Sequence, residues 1–249
     1  MSRPAPLGRA IAAQTAMELR LTARRGENVL VTIVIPAVVL VFFASLPVVR
    51  TPGARPVDFL LPGAIALAII ATGLVNLGIA TAYERSYGVL KRLGGSPLTR
   101  GGLLAAKVLA VLALEVIQIA VLVTLATWPL GWTPGPDASL PLAVAALLAG
   151  TVAFAGLGML LAGALRAEAT LALANGLFIG CLLLGSIVLP ADHLPAPLEA
   201  VARLLPAHAL SEAFRVALGA GGDATGPFVV LSAWGLGAVA ATARTFRWE

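Results

Sequence analysis

The chain has 249 residues, of which 59% are hydrophobic and only 12% charged, with a mean hydropathy of +0.96 and a net charge of +5. A soluble domain carries about 25% charged residues, so this composition excludes a water-solvated globule and makes the bilayer the solvent. A single cysteine, Cys181, excludes an intramolecular disulfide, and no Cys/His cluster has metal-ligand spacing.

Residues 1–28 form an amphipathic leader. Leu7, Ala10, Ile11, Met17 and Leu21 share one helical face, with Arg9, Arg20 and Arg24 opposite and Gln14 and Glu18 interrupting the apolar side. The pattern reads as a helix along the inner membrane surface, or as a solvated leader before the first span. The apolar run that follows is full span length and lacks a small-x-small cleavage site, so it is expected to stay as an anchor.

A spanning helix needs about 20 apolar residues. Six runs in residues 29–249 qualify: 29–48, 57–82, 102–127, 140–165, 169–189 and 227–243. With both termini inside, thirteen of the seventeen basic residues fall at inner ends; Arg50, Arg55, Arg203 and Arg215 fall outside. That asymmetry predicts cytoplasmic termini and an even number of spans. The expected fold is therefore an all-α integral membrane protein of six transmembrane helices. The richness in Arg, Ala, Gly and Pro suits a GC-rich bacterial genome, and hence a bacterial cytoplasmic membrane.

Two connections are more than loops. Segment 83–101 carries Glu84, Arg85, Lys91, Arg92 and Arg100, then the turn signals Gly94-Gly95 and Ser96-Pro97. A short helix there would expose Leu90 and Leu93 as apolar anchors beside Lys91 and Arg92; the alternative is a solvated loop obeying the positive-inside rule. Residues 190–226 hold two amphipathic pieces split by Pro206, one lined by Leu198, Val201 and Leu205, the other by Leu210, Phe214 and Leu218. They are expected to form a re-entrant helical hairpin on the outer side, packed against protein.

Enzyme motifs are missing. Lys91 follows Leu90 and Lys107 follows Ala106, so neither completes the Gly-Lys of a phosphate-binding P-loop. No GxSG or HExxH occurs, and His193 and His208 read as polar residues at headgroup depth rather than a metal pair. Within the spans, Glu115 and Gln118 lie one turn apart, and Asn76 and Asn175 sit in the second and fifth runs. An ionisable residue at mid-bilayer costs a few kcal/mol. Glu115 thus either lines a substrate or proton path or makes an interhelical hydrogen bond, to Gln118 or a neighbouring subunit. The asparagines read as packing contacts.

The stretch ERSYGVLKRLGGSPLTR resembles the cytoplasmic segment after the second span of ABC-2 type transporter permeases. Glu84, Arg85, Gly88, Leu90, Lys91, Leu93, Pro97 and Leu98 match that pattern, whereas Ser86, Tyr87 and Val89 depart from it and Ser96 replaces a Thr. The resemblance implies a coupling helix seated in a groove of a separate ATPase, which binds the ATP and magnesium, while this chain binds no cofactor. It implies pairing with a second permease copy or paralogue, because six spans make half a transporter. A short chain of this pattern looks most like the drug and antibiotic-resistance branch, exporting amphipathic small molecules. Export of a lipid-linked glycan is the alternative within the family. A proton-coupled carrier using Glu115, or a membrane scaffold, is the alternative from another class.

Overall fold

The computed structural model describes residues 6–24, 26–46, 55–93 and 99–246, and every regular element among them is helical. In chain order these are α1 (Leu7–Arg24), α2 (Gly26–Ser45), α3 (Pro56–Ile70), a π-helical turn (Ala71–Asn76), α4 (Leu77–Ser86) and α5 (Val89–Leu93). Then come α6 (Arg100–Thr127), α7 (Leu140–Ala164), α8 (Ala167–Leu184), α9 (Ala196–Leu204), α10 (Pro206–Ala217) and α11 (Thr225–Thr245). Among the described residues, five units are long and apolar enough to cross a bilayer: Pro56–Ser86, Gly101–Thr127, Leu140–Ala164, Ala167–Leu184 and Thr225–Thr245. In α2, the apolar stretch Thr32–Ser45 is shorter. The chain is an all-α membrane protein.

Local chemistry sets the helix ends. Thr99 Oγ1 accepts from the Gly102 amide at 3.1 Å to open α6, and Ser139 Oγ accepts from Leu142 at 3.4 Å to open α7. Each satisfies one of the orphan amides that a helix start leaves. Pro206 separates α9 from α10 because the residue before a proline is driven out of the helical region, and Leu205 is extended there. Two boundaries differ from the sequence expectation. The second span does not stop at residue 82 but continues to Ser86, carrying Glu84 and Arg85 on the same helix. The fifth ends at Leu184, five residues early, where Gly185 and Ser186 break it; Ser186 adopts a φ of 51°.

In lipid, apolar faces gain little by meeting one another, so close packing and small residues decide which helices associate. The unit α3–α4 is the centre, with 89% of its apolar window buried. Against it lies α7, whose glycines remove the side chains that would hold the backbones apart. A Cβ on Gly158 would lie 2.4 Å from the Gly73 carbonyl oxygen, and one on Gly78 would meet Gly158 at 3.0 Å. On its other sides α7 uses Gly156 against Ala238 of α11 and Gly150 against Leu210 of α10. The pair α9–α10 is asymmetric: Leu210 and Phe214 of α10 are buried among α3, α7 and α11, whereas Leu198 and Val201 of α9 face outward.

Candidate functional site

Where α4 ends, Gly88 adopts a φ of +70° and donates its amide to the Arg85 carbonyl at 3.0 Å. Glycine takes this left-handed turn without the penalty a Cβ would bring. The chain turns there into α5, which touches α4. Leu90 consequently turns inward and is only 2% exposed. The expectation that Leu90 is a solvent-facing anchor is corrected: within the chain it is buried. The apolar surface belongs instead to Tyr87, 72% exposed, and Val89, with Lys91 exposed beside them. Arg92 and Leu93 close α5; their side chains, and Pro97 and Leu98 entirely, lie outside the described residues.

Glu84 and Arg85 are braces. Lys107 Nζ, buried near the start of α6, lies 2.7 Å from Glu84 Oε2 and 3.0 Å from Glu18 Oε1 of α1. Gln14 Nε2 donates to the same Glu18 oxygen at 2.9 Å, and Thr15 Oγ1 donates to the Ala106 carbonyl at 3.3 Å. One ammonium thus joins α1, the end of α4 and the start of α6. Arg85 Nη1 donates to the Gly163 carbonyl at 2.5 Å and Nη2 to that of Leu165. Its cation therefore caps the negative end of α7 at the elbow into α8. Sequence reasoning counted Lys107 only as a topology charge; its signal was a lone lysine inside an apolar run.

The intramembrane polar residues fall into separate places. Glu115 is fully buried, and Thr151 of α7 donates to its Oε2 at 2.5 Å, while Oε1 has no hydrogen-bond partner among the described residues. Its interhelical bond goes to Thr151, not to Gln118. Gln118 accepts from Thr72 Oγ1 at 2.9 Å and donates to the Thr32 carbonyl at 3.2 Å, binding α6 to the π-helical turn and to α2. Asn76, half-buried, closes that turn. Asn175 is exposed on α8, where its Nδ2 donates to the Leu171 carbonyl of its own helix at 2.8 Å. It bridges to no other helix among the described residues.

At the end opposite α5 lies a cavity of about 1170 Å³, open to the exterior and walled by the start of α3, the α6–α7 connection and α10. Arg215 sits behind it, its guanidinium 3.9 Å above the Phe59 ring, paired with Glu212 and donating to the Ser186 carbonyl. Ser186 Oγ and His208 Nδ1 are 2.8 Å apart. Burial holds the His208 imidazole below its ordinary pKa; Glu212 opposes this, and Arg215 and Arg203 reinforce it. Arg55 makes a two-point contact with Asp58 and donates to the Gly131 carbonyl at 2.6 Å, fastening the α6–α7 connection to α3.

No curated protein matches the chain closely enough to supply a nearer relative. The family comparison agrees with what the helices, the braced segment and its sequence pattern indicate: the model of the ABC-2 type transporter family matches residues 9–218, and the chain belongs to that family.

Proposed function

We propose that this chain is the permease subunit of an ATP-driven exporter that moves an amphipathic, drug- or antibiotic-like molecule across a bacterial cytoplasmic membrane. Family membership makes it a transport component that works with an ABC ATPase. The finer reading has a separate ATPase, carrying ATP and magnesium, docked on residues 84–98. The observation that carries it is the bracing behind this segment. Through Glu84 and Arg85, a displacement of Tyr87–Lys91 is passed at once to α1, α6 and the α7–α8 elbow. A solvated loop has no need of such anchorage.

Two copies would pair to complete the path. Support comes from α8, with only 17% of its apolar window buried within the chain and the polar Asn175 on its open face. A Cβ added to Gly176 or Gly180 of this helix would meet nothing within 4 Å, leaving room for close helix approach.

Co-purification with an ABC ATPase co-expressed from the same source, read by native mass, tests both points. The parent is expected to yield a two-plus-two complex. Tyr87→Asp with Val89→Asp should reduce capture about tenfold or more, since apolar anchors inside a polar rim supply most of a small interface's energy. The permease itself should keep its melting temperature, because both side chains are exposed. Undiminished capture by this variant would remove the docking assignment.

A further inference from the structure

We propose that the cavity opposite α5 binds the headgroup of a zwitterionic phospholipid from the adjacent leaflet, with its phosphate on Arg203 and its ammonium on Asp192. Arg203 donates one hydrogen bond, to Glu199 Oε1 at 2.5 Å, so most of its guanidinium donors are unused, and it is exposed in the wall of the cavity. Asp192 lies in the same wall and forms no ion pair among the described residues. Behind them Arg215 is 8% exposed, and its Nε has no hydrogen-bond partner among the described residues, so the cavity has a polar floor. The other charges are engaged: Arg55 with Asp58, Arg215 with Glu212, and Asp223 with the Thr225 amide and hydroxyl.

Charge decides the class of headgroup. Four carboxylates line the cavity, Asp58, Asp192, Glu212 and Asp223, against the guanidiniums of Arg55, Arg203 and Arg215. A purely anionic headgroup would add a negative charge to a site that already has an excess. A zwitterion sets its ammonium on Asp192, which has no ion pair among the described residues, and its phosphate on the spare guanidinium donors of Arg203, whose own pairing is with Glu199. Position decides the source. Leu198, Val201 and Leu204, 45%, 49% and 68% exposed, form an apolar stripe along α9, which acyl chains would cover at an interface. The cavity is lined by Asp223, Gly226 and Pro227 around the start of α11, so its mouth sits at the end of a span, where lipid headgroups lie, and the exposed Trp128 closes α6.

The inference relies on the membrane reading of the chain but on neither cargo nor ATPase. Its test uses the full-length permease alone, so failure here leaves the exporter reading standing, and the reverse also holds. Delipidated protein in detergent is titrated with phosphatidylethanolamine or phosphatidylglycerol, and bound lipid is counted by native mass spectrometry. Phosphatidylethanolamine should bind about tenfold more tightly, equivalent to about 1.4 kcal/mol. Asp192→Asn should erase that preference, and Arg203→Ala should weaken both lipids. Both side chains are exposed, so unchanged melting temperatures are expected. Glycerophosphoethanolamine, which has the headgroup but no chains, should not displace the lipid at equal concentration. Equal or tighter binding of phosphatidylglycerol, parent-like binding by both variants, or displacement by the chainless headgroup would each overturn the assignment.

Discussion

Lys107 shows how much one side chain can hold together in a membrane protein. It is 2% exposed in side-chain area, and it faces two carboxylates that are themselves mostly buried. Replacing it with methionine keeps the aliphatic volume and leaves Glu18 and Glu84 confronting each other without a cation. Removing one partner of a buried ion pair costs about 3–5 kcal/mol, so Lys107→Met should lower the melting temperature of the purified permease by many degrees. Lys107→Arg, which keeps the charge, should recover part of the loss. A parent-like melt for the methionine variant would show that the network contributes nothing to the fold. Sequence reading found the three residues separately and gave each another role: Glu18 as an interruption in an amphipathic face, Glu84 as a docking residue, Lys107 as a topology marker. Their convergence depends on how α1, α4 and α6 cross, which no local pattern encodes. Thr151 escaped notice for the same reason: a threonine in an apolar run is unremarkable until α6 brings Glu115 against it.

At the scale of elements, the glycines of α7 stand plainly in the sequence, but the partners they meet do not. Gly150, Gly156, Gly158 and Gly163 each meet a different neighbour: Leu210, Ala238, the Gly73–Gly78 backbone and Phe246. The crossing at Gly158 is the tightest with backbone. Gly158→Ala would place a methyl 2.4 Å from the Gly73 carbonyl oxygen and 3.0 Å from that of Leu74. Backbone cannot yield as a side-chain tip does, so the central helices must separate, at about 1–3 kcal/mol for overpacking of this kind. Gly237→Ala on α11 meets nothing within 4 Å and should be neutral or raise stability by about 0.5–1 kcal/mol through helix propensity. Thermal melts of the two variants in the same detergent check this, and equal melting temperatures would contradict the crossing. The π-helical turn at Ala71–Asn76 had no sequence signal. A π turn is a change of hydrogen-bond register imposed by packing, and here it coincides with Gly73 against α7 and Thr72 against Gln118. Gly88 was visible in the sequence, yet its left-handed turn was not, and the expected short helix put Leu90 outward where the turn buries it.

At the scale of the whole molecule the chain has two polar ends separated by apolar helices, and charge orients them. The turn into α5, α1 and the braces around Lys107 gather at one end; the cavity beside Arg215 and His208 lies at the other. Basic residues concentrate at the first end, thirteen of seventeen by the expected topology, and the retention of Lys and Arg on the cytoplasmic side sets the direction of insertion. The prediction is that α5 faces the cytoplasm and the α6–α7 connection faces outward. In a Cys181→Ser background, a cysteine at Lys91 should react with a membrane-impermeant maleimide only after the cells are permeabilised. A cysteine at Asp137 should react in intact cells. Both positions are exposed in the chain, so silence at either cannot be put down to burial. Labelling of position 91 from outside would invert the protein. The braced segment would then face a compartment without ATP, and no ATPase could dock on it.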